Sequence, residues 1–159
     1  MVYLKKFDVK PEYLYREACY GGAHKGQNGG TMETEQTLVL IKPDGVQRGL
    51  IGEIIARYEH KGLKIVGMKL QQLPRDTAET LYAIHHGKPF YDVLIEFIIS
   101  APIVALAIEG RDAIELVRIL NGETNPRESQ PGTIRGDFSI NITHNIVHAS
   151  DSLQSAQRV

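Results

Sequence analysis

The sequence predicts an α/β sandwich of the ferredoxin-like kind, βαββαβ, with helices laid on a four-stranded antiparallel sheet. Three observations predict it. Short apolar runs compatible with strands alternate, between residues 37 and 149, with stretches whose apolar residues recur at helical spacing. The order reads strand, helix, strand, two helices, strand, helix, loop, strand, which is the split βαβ arrangement once the middle helices are set aside as an insertion. The competing doubly wound fold wants a G-x-G-x-x-G turn after its first strand, and neither that nor a G-x-x-x-x-G-K-[ST] loop is present.

Each element has a local reason. Leu38-Val39-Leu40-Ile41 is a short buried strand, stopped by the turn residues Lys42-Pro43-Asp44-Gly45. Ile51, Ile54, Ile55 and Tyr58 fall at i, i+3, i+4, i+7, which predicts a helix of about three turns ending at Gly62. Leu63 to Leu73 reads as a strand. Pro74 opens a second helix with the stripe Ala78, Leu81, Tyr82 and His85, and after Pro89 a third carries Phe90, Leu94, Phe97 and Ile98. Ile103 to Ile108 is an apolar strand. Ala113, Leu116, Val117 and Leu120 repeat the helical spacing up to Asn121-Gly122, a loop follows, and Asn145 to Ala149 is the last strand.

At 159 residues the chain is long enough for one domain. Residues 21 to 31 hold five glycines and no sizeable apolar side chain, the composition of a flexible linker. The expected division is therefore an N-terminal extension or tag over 1–35 and a folded domain over 36–159. Lys plus Arg number 18 against 19 Asp plus Glu, so a net charge of -1 leaves no global field for nucleic acid or anionic membrane, and any anion must be held locally. A single cysteine, Cys19, fits a reducing cytoplasm, and the longest uncharged apolar stretch, Phe97 to Ile108, is interrupted by Pro102 and too short to span a bilayer. The start of the chain puts Lys5 and Lys6 where a signal peptide needs an apolar core.

Three segments are rich in polar and conformationally special residues that a plain core would not require. The first is Ile41 to Gly49. Lys42 ends a buried strand, where ligands meet the sheet in α/β layers; on position alone it also reads as an exposed lysine opening a turn. The second runs from Asn121 to Asp137 and is longer than most connections. Arg118 and Arg135 frame it, and both guanidinium groups have the fork geometry that suits phosphate; equally, Arg118 would cap its helix and Arg135 would pair with Asp137. The third is Asn145 to Ser152. His148 sits in an apolar strand directly before Ser150-Asp151-Ser152, a cluster of helix N-cap residues whose free N–H groups would favour an anion beside the ring. A neutral imidazole there can attack phosphorus and divide one transfer into two. His144 and His148 have the i, i+4 spacing of zinc ligands, but the glutamate of H-E-x-x-H is missing, and in a strand residues four apart lie over about 13 Å from each other.

Together these strings resemble nucleoside diphosphate kinases. The resemblance runs without an evident gap from about Thr37 to Ala156 and rests on I-K-P-D-G-V-Q-R-G-L at the strand end, G-E-T-N-P, P-G-T-I-R-G-D-F and N-I-V-H-A-S-D-S. It implies a histidine nucleophile at His148, phosphate ligands at Lys42, Arg118, Thr124 and Arg135, and sugar-hydroxyl contacts at Lys42 and Asn145. It also implies a base-stacking aromatic at Phe90, with Tyr82 and Ser150 beside the histidine. The implied activity is Mg²⁺-dependent movement of the γ-phosphate from ATP to another nucleoside diphosphate, by a homo-oligomer of four or six copies. The implied cations are of the right size for the task. At an effective dielectric near 20, a unit charge 4 Å from another contributes about 4 kcal/mol before desolvation, and Lys42, Arg118, Arg135 and Mg²⁺ face roughly four negative charges. Members of the family continue past the position of Val159 with a glutamate that orients the histidine and a covering segment. The expectation is a domain over 36–159 without that segment and with lowered activity, a weakly active or non-catalytic scaffold being the alternative.

Overall fold

Period-two alternation in the first strand sets the layers of this computed structural model, which describes residues 34–150. Strand β1 (Glu35–Ile41) points Leu38 and Leu40 to one face and Val39 and Ile41 to the other, and all four are buried. A strand covered on both faces must be apolar throughout, which is why it reads as a run rather than an alternation. Strand β3 (Ile103–Gly110) pairs with it antiparallel and is buried from Ile103 to Ile108 for the same reason. Strands β2 (Lys64–Gln71) and β4 (Val147–Ala149) take the two edges, giving the order β2-β3-β1-β4 with every pairing antiparallel. This is the ferredoxin-like sheet.

The helices divide between the faces. Helix α2 (Ile51–His60) and helix α5 (Ala113–Asn121) cover the Val39/Ile41 face with Ile54, Tyr58, Ala113 and Val117. Tyr58 can be fully buried because its hydroxyl donates to Asn121 Oδ1 at 2.6 Å. Helix α3 (Arg75–Leu81) and helix α4 (Tyr91–Ile99) form the insertion and cover the Leu38/Leu40 face with Ala78, Tyr82, Ile95 and Ile98. The inserted helices are thus a third layer, and they supply the wall against which the last strand packs.

Local departures from the sequence reading have physical causes. Lys42 to Gly45 is not a bare turn, because Pro43 starts a short helix α1 (Pro43–Gln47). The stripe after Pro74 breaks at Tyr82 into a 3₁₀ turn over Ala83–His85, and the buried residues of α4 are Ile95 and Ile98, with Phe90 outside the helix. The long connection after α5 contains helix α6 (Ile134–Phe138), capped by Thr133 Oγ1 accepting from the Gly136 amide at 3.1 Å. The first strand starts three residues early, since Glu35 to Thr37 continue the ladder with β3 and the Glu35 carboxylate, accepting from the Ile114 amide at 2.8 Å, ties β1 to the start of α5. The expected linker at 21–31, the helix start at Asp151-Ser152 and the chain end at Val159 lie outside the described residues. No helix among the described residues is long and apolar enough to cross a membrane.

Candidate active site

Strand register decides where His148 points. In the β1–β4 ladder Ile41 pairs with Val147, Leu40 with His148 and Val39 with Ala149. Val147 and Ala149 therefore share the face of α2 and α5, and His148 shares the face of Leu40, against the inserted helices. Its ring meets Tyr82 edge-on, with centroids 5.4 Å apart and planes at 70°. The Ser150 amide extends the ladder by one bond, donating to the Leu38 carbonyl at 3.1 Å, and Ser150 is buried beside it.

Lys42 leaves the end of β1 buried, with only 6% of its surface exposed, so it is no ordinary surface lysine. Its Nζ donates to Asn145 Oδ1 at 2.5 Å, and Asn145 Nδ2 donates to the Thr124 carbonyl at 2.9 Å. That chain of contacts links the end of β1, the approach to β4 and the loop after α5. Burial of the ammonium, with Arg135 nearby, brings the Lys42 pKa down to about 8, against the opposing pull of the Asp44 carboxylate.

Arg135 sits on α6, nearly buried, and bridges two carbonyls: Nη1 donates to Gly122 O at 2.6 Å and Nη2 to Val147 O at 2.8 Å. Val147 is the neighbour of His148, so the guanidinium reaches the strand that carries His148. Burial and the adjacent Arg118 lower the Arg135 pKa, partly offset by Tyr58, Glu123 and Tyr82. The expected pairing of Arg135 with Asp137 does not form; Asp137 takes Arg57 at 2.7 Å and the Gly132 amide at 2.8 Å instead. Gly122 has no substitute at the turn out of α5. Its φ is 77°, and a Cβ there would lie 2.5 Å from Thr133 Oγ1. Arg118 is exposed in the last turn of α5, and the Thr124 side chain is exposed on the loop.

Aromatic rings lead outward from the histidine. Tyr82 stacks on His85 at 6.2 Å, and His85 lies 5.5 Å from Phe90, which Lys88 Nζ approaches to 5.7 Å. Phe90 is 49% exposed, so it is not the core anchor its helical spacing allowed. Burial raises the Tyr82 pKa, keeping the hydroxyl neutral. His85, which the sequence reads only as the end of the helical stripe, has its Nδ1 3.1 Å from Lys88 Nζ, and Asp44, which the sequence reads only as a turn residue, has a carboxylate oxygen 3.1 Å from the Ile146 amide that donates to it.

Two buried polar atoms in this cluster, Arg135 Nε and Tyr82 Oη, have no hydrogen-bond partner among the described residues. Unmade donors beside a buried ammonium are costly unless an anion takes them, which is what a phosphate chain would do. The cations present, Lys42, Arg118 and Arg135, suit phosphate oxygens. The described residues contain no group of three or more His, Cys, Asp or Glu that could hold a metal. His144 is directed elsewhere, its ring 4.3 Å from Phe97. The segment between the two histidines is also not the extended strand expected, because the chain turns at Ile146.

Comparisons with known proteins agree with this geometry. The family model described as nucleoside diphosphate kinase matches residues 35–159. A nucleoside diphosphate kinase of Archaeoglobus fulgidus is 57% identical over 124 residues, taking in 78% of this chain and 82% of that protein. One from Staphylothermus marinus is 59% identical over 127 residues, 80% of this chain and 90% of that protein. Among solved structures, a halophilic nucleoside diphosphate kinase from Halobacterium salinarum in complex with CDP superposes with a TM-score of 0.74 at 50% identity, covering 75% of this chain and 78% of that one. An apo nucleoside diphosphate kinase from Encephalitozoon cuniculi gives 0.77 at 39% identity, covering 78% and 84%. With a family model over most of its length, relatives above half identity and solved structures that superpose on most of it, the chain belongs to the nucleoside diphosphate kinase family.

Proposed function

We propose that this protein is a phosphotransferase that moves the γ-phosphate of Mg²⁺·ATP to nucleoside diphosphates through a covalent intermediate on His148. The observation that supports this reading most is the register that sets His148 opposite Leu40 and beside Tyr82, on the strand whose Val147 carbonyl accepts from Arg135 and three residues after Asn145, the partner of Lys42. In the first half-reaction a ring nitrogen of His148 attacks the γ-phosphorus, the P–N bond forms, and the bond to the bridging oxygen breaks with its electrons leaving on ADP. In the second, a terminal oxygen of the acceptor diphosphate attacks the same phosphorus and the imidazole leaves. The transition state is loose, so the protein's task is alignment and charge neutralisation rather than proton transfer. Lys42 and the two arginines hold phosphate oxygens, the Thr124 hydroxyl adds a donor, and Lys42 with Asn145 contacts the sugar hydroxyls. Mg²⁺ bound to the nucleotide would offset part of the phosphates' negative charge, leaving Lys42 and the arginines to offset the rest. Phe90, exposed on one edge of the ring series, stacks on the base without reading its hydrogen-bond edge, which gives tolerance among bases. The CDP held by the Halobacterium relative is a ligand of the acceptor class.

The folded domain is taken as residues 36–159, working in the cytoplasm as a homo-oligomer of four or six copies. The scaffold alternative is not favoured, because nothing in a passive nucleotide binder calls for a histidine among these cations. Incubation with γ-labelled ATP tests the reading. The full chain should acquire acid-labile, base-stable label, and His148→Ala should acquire none while keeping its circular dichroism spectrum. Wild-type labelling of the alanine variant would reject the mechanism.

A further inference from the structure

Ile146 is β-branched and fully buried, yet its φ is 69°. Such a residue avoids the left-handed region, and held there it is strained by its surroundings. The Val147 amide donates back to the Asn145 carbonyl at 2.7 Å, which makes Asn145-Ile146-Val147 a three-residue γ-turn of the rare, strained hand. What holds the strain is the first segment of the fold. The Ile146 amide donates to Asp44 Oδ2 at 3.1 Å, and the Ile146 carbonyl accepts from the Lys42 amide at 2.8 Å. Gly45 lets α1 press onto the turn; a Cβ there would stand 3.2 Å from Ile146 Cγ2 and 3.4 Å from its carbonyl oxygen. The other carboxylate oxygen, Asp44 Oδ1, is buried with no hydrogen-bond partner among the described residues. A carboxylate with one buried, unpaired oxygen and a strained residue are two local costs at one spot, and the turn they maintain separates Asn145, which accepts from Lys42, from His148 three residues on.

We propose that Asp44 is a positioning residue: its carboxylate clamps the strained turn at Ile146 and thereby fixes the direction in which β4 presents His148 to the phosphate. The inference rests on His148 being the nucleophile. It makes Asp44 a residue that touches neither nucleotide nor the reacting nitrogen, and acts through the backbone between them.

Two variants of the full chain separate this role from a charge effect, since Asp44 also supports the charge of Lys42. Asp44→Asn loses the charge but keeps an oxygen for the Ile146 amide; Asp44→Ala loses both. The readouts are the first-order rate of His148 phosphorylation at saturating Mg²⁺·ATP, the ATP concentration at half-maximal rate, and the ring ¹⁵N resonances of His148. The expected result is a rate lowered by about 10- to 100-fold in D44A with displaced His148 resonances, in keeping with the cost of an ångström-scale misplacement. D44N should stay within about threefold of wild type, and half-saturation should shift equally in both. A wild-type rate in D44A, or equal slowing in D44A and D44N, overturns the clamp. Should D44A not fold, Asp44→Ser, too short to reach the amide, takes its place with the same two outcomes. Absence of label on the wild-type chain would instead reject the nucleophile reading itself.

Discussion

A buried lysine with one side-chain partner is the residue whose charge is most easily lost here. Lys42 is protonated below a pKa of about 8, depressed from 10.5 chiefly by burial. The sign follows directly. As pH rises through about 8 the free enzyme loses the positive charge that attracts phosphate, so kcat/KM for ATP should fall along an alkaline limb with one-proton slope. Bound phosphate opposes the deprotonation, so the limb in kcat should lie at higher pH. Lys42→Arg keeps its charge throughout and should flatten the limb, whatever it costs at neutral pH through a poorer fit to Asn145. A limb unchanged in K42R would assign it to another group. The same residue shows what a sequence can and cannot say. That Lys42 closes a buried strand was legible from the apolar run before it; that its side chain turns inward was not, because the partner, Asn145, is 103 positions away. Ile146 was less legible still. Its β-branched side chain argues for extended backbone, and only the pull of Asp44 and the Lys42 amide reverses that preference.

At the scale of elements, the two arginines expected to share one task are built differently. Arg118 stands exposed on the last turn of α5, whereas Arg135 fastens α6 to the exit of α5 through Gly122 and to β4 through Val147. Arg118→Ala should therefore remove transition-state charge stabilisation of about 2–4 kcal/mol and leave the melting temperature within a few degrees. Arg135→Ala should lose at least as much activity and also stability, because the two carbonyls it satisfies are left without their donor. Kinetics and thermal melts on both variants check this. Equal melting temperatures for the two would mean that the α6 bridge holds nothing together. The helices and strands themselves were legible wherever an apolar stripe ran for three turns or a run of four or more filled a strand, as in α2, α5, β1 and β3. Helices α1 and α6 were not, since five residues with a proline or a glycine carry no period; Pro43 and the Thr133 cap start them.

For the whole molecule, the sheet order keeps the proposed site and the proposed oligomer contact on different edges. His148 lies on β4 at one edge and β2 forms the other, with two strands between them, or roughly 14 Å at about 4.8 Å per strand. On β2, Met68 and Leu70 lie opposite Leu106 and Val104 and so face the α2 side, yet they are 60% and 61% exposed. Two large apolar side chains on an uncovered edge strand are a liability in a monomer and an asset in a homo-oligomer, where symmetry buries each of them twice. Burying one such side chain contributes about 1.5–3 kcal/mol. The proposed oligomer thus predicts that the melting temperature rises with protein concentration, and that Leu70→Lys lowers both the sedimentation coefficient and the melting temperature. Because Leu70 faces the α2 side of the sheet and His148 the other side, the L70K protein should still acquire label on His148 from γ-labelled ATP at a temperature where it stays folded. A single monomeric species across the micromolar range in the wild-type protein would remove the oligomer from the description, and loss of labelling in folded L70K would show that the far edge of the sheet supports the site after all.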